Sequence, residues 1–180
     1  YLTVTNMIRP LFKLTLSLLL ALPCAMPAQR NIKPTDTIYV SGKINNRSAF
    51  SISAILQMTQ SSIPDQVIYN HKGEAKDTLT GLKGIALKTL LHSIGLAYDK
   101  PKELNEFYFV LTASDGYRIV ISWNELYNTE AGNHFFILTE AAGKNLQTMD
   151  QRIAFIATGD LKSGRRYVKC LKSIEVKKLD

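Results

Sequence analysis

Two cysteines in 180 residues, Cys24 and Cys170, are too few for a disulfide framework or for a cysteine-built zinc site. The three histidines, His71, His92 and His134, sit in unrelated segments, with no two at ligand spacing. There is no Gly-x-Gly-x-x-Gly and no P-loop, which removes the commonest nucleotide-binding readings. Without a Gly-x-Ser-x-Gly elbow, nothing singles out a nucleophile among the many serines. Internal repeats, low-complexity tracts and composition shifts are also missing, so one domain is expected rather than several.

The N-terminus carries a different signal. Arg9 and Lys13 lead into the apolar run LTLSLLLAL at residues 14–22, followed by small residues around Ala25 to Ala28. A basic region, a short apolar core and a small-residue zone are the layout of a secretory signal, with translation starting at Met7. The run falls short of the roughly 20 apolar residues a membrane span needs. Residues 1–28 are therefore expected to be a signal peptide, and 29–180 a single exported domain, periplasmic or secreted, with no stable membrane span after cleavage. Cys24 invokes lipidation, but Pro23 before it fits that pattern poorly. Cleavage after Ala28 removes Arg9 and Lys13, so the formal charge falls from +7 to +5. That surplus favours small anionic ligands without implying nucleic acid. Cys170 remains as a lone cysteine in an apolar-alternating run, which reads as a buried core thiol.

The strongest local pattern is FYFVLTASDGYRIVISWNELY at residues 107–127. Phe107, Phe109 and Leu111 share one face of a period-2 pattern, and Tyr117, Ile119 and Ile121 repeat it after Asp115-Gly116. Asp-Gly suits a two-residue hairpin turn in which both central residues take positive φ. Ser122 and Glu125 have capping-box spacing, so a helix is expected from Trp123.

Around this core, short strands are expected at 38–40, 67–69, 78–82, 135–139, 152–157, 167–171 and 174–176. Ser53 is expected to cap a short helix ended by Ser61, Ser62 and Pro64. Leu87, Leu90, Leu91 and Ile94 follow helical spacing, with Gly95 as the left-handed C-terminal residue. His92 beside that stripe reads as a packed or surface residue, and 100–106 as a linker. Strands outnumber scattered short helices, which points to an α+β fold with small mixed sheets. Lys162, Arg165, Arg166 and Lys169 crowd a turn with Gly159 and Gly164, a composition suited either to an anion site or to a charged sheet edge.

Four segments in order resemble the oxidoreductase molybdopterin-binding domain, the central domain of the sulfite oxidase family. They are IYVSG at 38–42, GIALKTLL at 84–91, TASDGY at 112–117 leading to WNEL at 123–126, and Gly159-Asp160 with GRRYV at 164–168 and SIEV at 173–176. Together they span nearly all of 29–180. The resemblance implies an α+β fold of several small sheets with a β-grasp-like portion. In the catalytic members a cysteine between the early strand and the helix start near Gly84 supplies a thiolate to molybdenum. Here residues 67–84 contain no cysteine, and the corresponding strand end reads Tyr69-Asn70-His71. The resemblance then implies a non-catalytic module, or a remnant pocket for a small anionic ligand or a protein partner. Asn70 and His71 stand at the former ligand position, with Arg165 and Arg166 as anion contacts. No bound cofactor is expected. The alternatives are a molybdopterin-dependent enzyme with His71 or a cofactor-derived group completing the coordination, and a purely structural partner-binding domain.

Overall fold

A computed structural model describes residues 32–180, so the expected signal at 1–28 lies outside the described residues. In chain order the first half holds β1 (Thr37–Gly42), β2 (Ser48–Ser51), α1 (Ile52–Leu56), β3 (Ser61–Ile63), β4 (Gln66–Tyr69), β5 (Ala75–Leu79), β6 (Leu82–Ala86) and α2 (Leu87–Leu91). The second half holds β7 (Phe107–Ala113), β8 (Arg118–Ser122), α3 (Trp123–Tyr127), β9 (Phe135–Ala141), β10 (Lys144–Asn145), β11 (Ala154–Ala157) and β12 (Leu171–Lys178). Short 3₁₀ turns at Pro101–Glu106, Glu130–His134 and Ser163–Arg166 link them. This is the α+β class that the scattered short elements implied.

One sheet runs β2-β1-β12-β7-β8, with β1 and β12 parallel and the other neighbours antiparallel. The second runs β10-β9-β6-β3, with β11 also on β9, and β4 pairs with β5 as a separate hairpin. β7 alternates as its sequence dictates: Phe107, Phe109 and Leu111 are at most 1% exposed. Each such side chain contributes about 1.5–3 kcal/mol on burial. They meet Phe135, Ile137 and Phe155 of the second sheet in the main core. The opposite face of that sheet is also covered, because Leu138, Ala154 and Ile156 pack with Ile68 and Leu82 in a smaller cluster. All four residues of β11 are therefore buried, as expected of a strand enclosed on both faces.

Local chemistry sets several boundaries. Ser122 Oγ accepts the Glu125 N–H at 3.0 Å and starts α3 where the capping box places it. The hairpin turn is longer than two residues. Among its residues only Gly116 takes positive φ, at +83°, and Asp115 Oδ1 accepts the Tyr117 N–H at 2.9 Å. An aspartate holding the chain this way needs no left-handed backbone of its own.

Other expectations are corrected. α1 is capped by Ser51, whose Oγ accepts the Ala54 N–H at 3.3 Å, and not by Ser53. Ser61 and Ser62 belong to strand β3, fixed by pairing with β6. The strand expected at 78–82 is instead the end of β5 and the start of β6. α2 stops at Leu91 with His92 as its C-cap, and Gly95 is not left-handed. The linker at 100–106 is largely the first 3₁₀ turn, whose Pro101 suits its opening position. Residues 167–170 are not a strand, since Cys170 sits at φ +53° and Val168 makes only an isolated bridge to Phe155.

Candidate functional site

The basic turn at Ser163–Arg166 docks on the end of β4. Ser163 is 3% exposed, and its Oγ donates to Val67 O at 2.9 Å while accepting the Tyr69 N–H at 3.1 Å. Those two backbone groups would otherwise lack partners, so a hydroxyl is needed at this place. Gly164 lies so close to β4 that a Cβ there would stand 2.7 Å from Tyr69 O. Two outer ties complete the clamp. Lys162 Nζ donates to His71 O at 2.9 Å, and Tyr117 Oη donates to Arg165 O at 2.5 Å. Side chains almost a hundred residues apart in sequence are thereby brought to one place.

Between the β4–β5 hairpin and this turn lies a cleft of about 420 Å³. His71, Lys76 and Arg165 line it, together with Tyr69, Asn70 and Tyr117. Arg165 is exposed and makes no salt bridge among the described residues. Lys76 contacts Glu74 at 3.3 Å, with both side chains more than half exposed, a pairing too weak to hold it from a competing anion. Three of the four residues singled out in the sequence, Asn70, His71 and Arg165, thus meet at the cleft.

They do not play equal parts. The Asn70 amide closes the hairpin turn: Oδ1 accepts the Lys72 and Glu74 N–H groups at 2.9 and 3.0 Å, and Nδ2 donates to Glu74 Oε2 at 2.8 Å. It contributes shape rather than a free polar group. Arg166 is not a wall residue of the cleft. Its guanidinium grips Asp160 through two bonds at 2.7 and 2.5 Å and Glu125 through one at 2.5 Å, and lies 4.8 Å above the Phe135 ring. The Asp160 bonds, and then Glu125, hold its pKa above the ordinary arginine value against the opposing effect of burial. Arg166 is thus a pin between α3 and the loop before the turn.

The donor set does not fit a thiolate-held molybdenum. No sulfur lines the cleft. Cys170 is buried in the main sheet region, and burial, then the charge of Asp115, pushes its thiol up, away from the thiolate form. The Asn70 amide is engaged by its own turn. Among the described residues no three His, Cys, Asp or Glu side chains converge as a metal site.

Sequence reasoning passed over Ser163, Lys76 and Tyr117 as site residues. Ser-Gly before two arginines was a usable signal for a tight docked turn. Tyr117 read as a core residue, and only its half-buried position lets the ring pack while the hydroxyl reaches Arg165.

No protein-family model matches the chain, and no curated protein does. Among solved structures the chain is similar to the sulfane dehydrogenase SoxCD from Paracoccus pantotrophus. The match has a TM-score of 0.57 at 12% identity and covers 78% of this chain and 37% of that one. This chain therefore spans well under half of that protein's length. At such identity the likeness is one of fold alone.

Proposed function

We propose that this domain is a non-catalytic binding module of an exported protein, periplasmic or secreted. It holds a small phosphate-bearing ligand in the cleft between the β4–β5 hairpin and the Ser163–Arg166 turn. The observation that supports this most is the convergence of Arg165, Lys76 and His71 on one cleft, with Arg165 free of any carboxylate among the described residues. A guanidinium left unpaired beside a lysine offers a fork of donors to a phosphate. Arg166, the next residue, is held by Asp160 and Glu125 and keeps the turn in place. The fold relation makes a pterin phosphate a fitting ligand, while the donor set disfavours thiolate-bound metal.

The test is titration calorimetry with inorganic phosphate and a pterin monophosphate. Arg165→Ala should weaken binding about tenfold, the worth of one partly exposed charged hydrogen-bonding group. Arg165→Lys should restore part of the loss. Unchanged affinity in Arg165→Ala would overturn the assignment of the cleft. Metal analysis of protein from a cofactor-competent, molybdenum-replete host should give background molybdenum; a stoichiometric content would overturn the non-catalytic reading. Mass spectrometry of protein collected outside the cytoplasm should find Gln29 as the first residue.

A further inference from the structure

A second cleft, of about 810 Å³, shares no wall residue with the Arg165 site. It lies where the chain leaving α2 meets the first 3₁₀ turn and α3, and it is braced on each side. Ile44 and Leu96 form an antiparallel bridge, flanked by Asn45 N–H to Gly95 O at 2.9 Å and Ala97 N–H to Lys43 O at 3.1 Å. Asn124 Nδ2 donates to Asn105 Oδ1 at 3.1 Å and ties α3 to the 3₁₀ turn. The cleft is of small-molecule size and its walls are preformed.

Three aromatic residues line it. Tyr98 is 43% and Tyr127 39% exposed, although most rings among the described residues are buried or half-buried. Trp123 stands beside Tyr127 with ring centroids 5.4 Å apart, and Phe109 backs Tyr127 edge-on at 6.3 Å. These ring contacts hold Trp123 and Tyr127 in place at the cleft without help from a ligand. Asp99 is the one carboxylate on the walls, and no lysine or arginine lines them. Asp99 forms no salt bridge among the described residues, in a chain whose net charge is +7.

The chemistry of the occupant follows from these walls. Ring faces carry the negative end of an aromatic quadrupole and attract cations. An anion would meet both those faces and Asp99. A neutral apolar ligand would strip water from the carboxylate and give it no partner. We infer that this cleft binds a small organic ammonium ion, seated against Tyr98, Trp123 and Tyr127 with Asp99 as its counter-charge.

Choline, titrated by calorimetry against 3,3-dimethylbutanol, its neutral carbon isostere, tests this directly. Choline should bind saturably and about tenfold more tightly than the isostere, the span expected for a cation over partly desolvated rings. Asp99→Asn and Tyr98→Ala alter exposed side chains, fold normally, and should each weaken choline about tenfold. Arg165→Ala, in the other cleft, should leave choline binding unchanged. Vesicles of phosphatidylcholine form the second arm: binding to them without binding to free choline assigns the ammonium to a lipid head group. Equal affinity for the isostere, indifference to Asp99→Asn, or no binding in either arm overturns the inference.

Discussion

Replacing Arg166 by alanine separates a structural arginine from a binding one. The guanidinium makes three charged hydrogen bonds, two to Asp160 and one to Glu125, and its side chain is 22% exposed against 18% and 31% for the two carboxylates. Breaking a fully buried ion pair by removing one partner costs about 3–5 kcal/mol, because the remaining charge is stranded. The residual exposure lets water reach the two carboxylates, which brings the electrostatic loss down to about 2–3 kcal/mol. Loss of the cation over Phe135 adds about 0.5–1 kcal/mol. In urea, with a slope of about 2 kcal/mol/M for a domain of this size, the midpoint should fall by about 1–2 M. The Asp160→Ala/Arg166→Ala double variant should be less destabilised than the sum of the single changes, with a coupling of about 1–3 kcal/mol. Arg165→Ala should stay within about 0.5 kcal/mol of the parent, as exposed substitutions do. An Arg166→Ala loss no larger than that of Arg165→Ala, or strict additivity with Asp160→Ala, would refute the assignment of Arg166 as a pin.

Three further outcomes are expected. Ser163→Ala removes the hydroxyl shared by Val67 O and Tyr69 N–H and should cost about 1–3 kcal/mol, read as a lowered thermal midpoint; a change too small to measure would show that water replaces the hydroxyl. Cys170 should resist a thiol-reactive disulfide reagent at neutral pH and react on unfolding, since burial raises its pKa; rapid labelling of native protein would contradict its enclosure. The Lys178 Nζ bond at 2.6 Å holds the Glu103 carboxyl below its ordinary value of 4.5. A carboxyl lowered by folding contributes stability that is present above 4.5 and lost as pH falls through its folded value, so acid titration of Glu103→Gln should show a shallower fall in that window.

The sequence disclosed elements whose determinants are local. Ser122 and Glu125 state the start of α3 within four residues, and the alternation of Phe107, Phe109 and Leu111 states which face of β7 is inward. Elements defined by distant partners were not legible. Ser61-Ser62-Ile63 is too polar to announce a strand and becomes one only on pairing with β6. The run from Tyr167 to Leu171 alternates like a strand, yet the positive φ at Cys170 breaks it before β12 begins. The candidate site shows the same division. Residues 162–169 were conspicuous for their charge, but two neighbouring arginines carry no mark of which one meets carboxylates. That distinction needed Glu125, forty-one residues upstream, to arrive beside Arg166.

The position of β12 bears on how the molecule is made. It pairs with β1 on one side and β7 on the other, so residues 171–178 fill the centre of the five-stranded sheet. Until that stretch leaves the ribosome, β1–β2 and β7–β8 are two separate ribbons, each with an apolar face and an unsatisfied edge. Closing the sheet joins segments more than 130 positions apart, the slow and loop-costly kind of contact. This sheet therefore cannot close until residues 171–178 have been synthesised, and a stop codon just before residue 171 would leave its two hairpins with nothing between them.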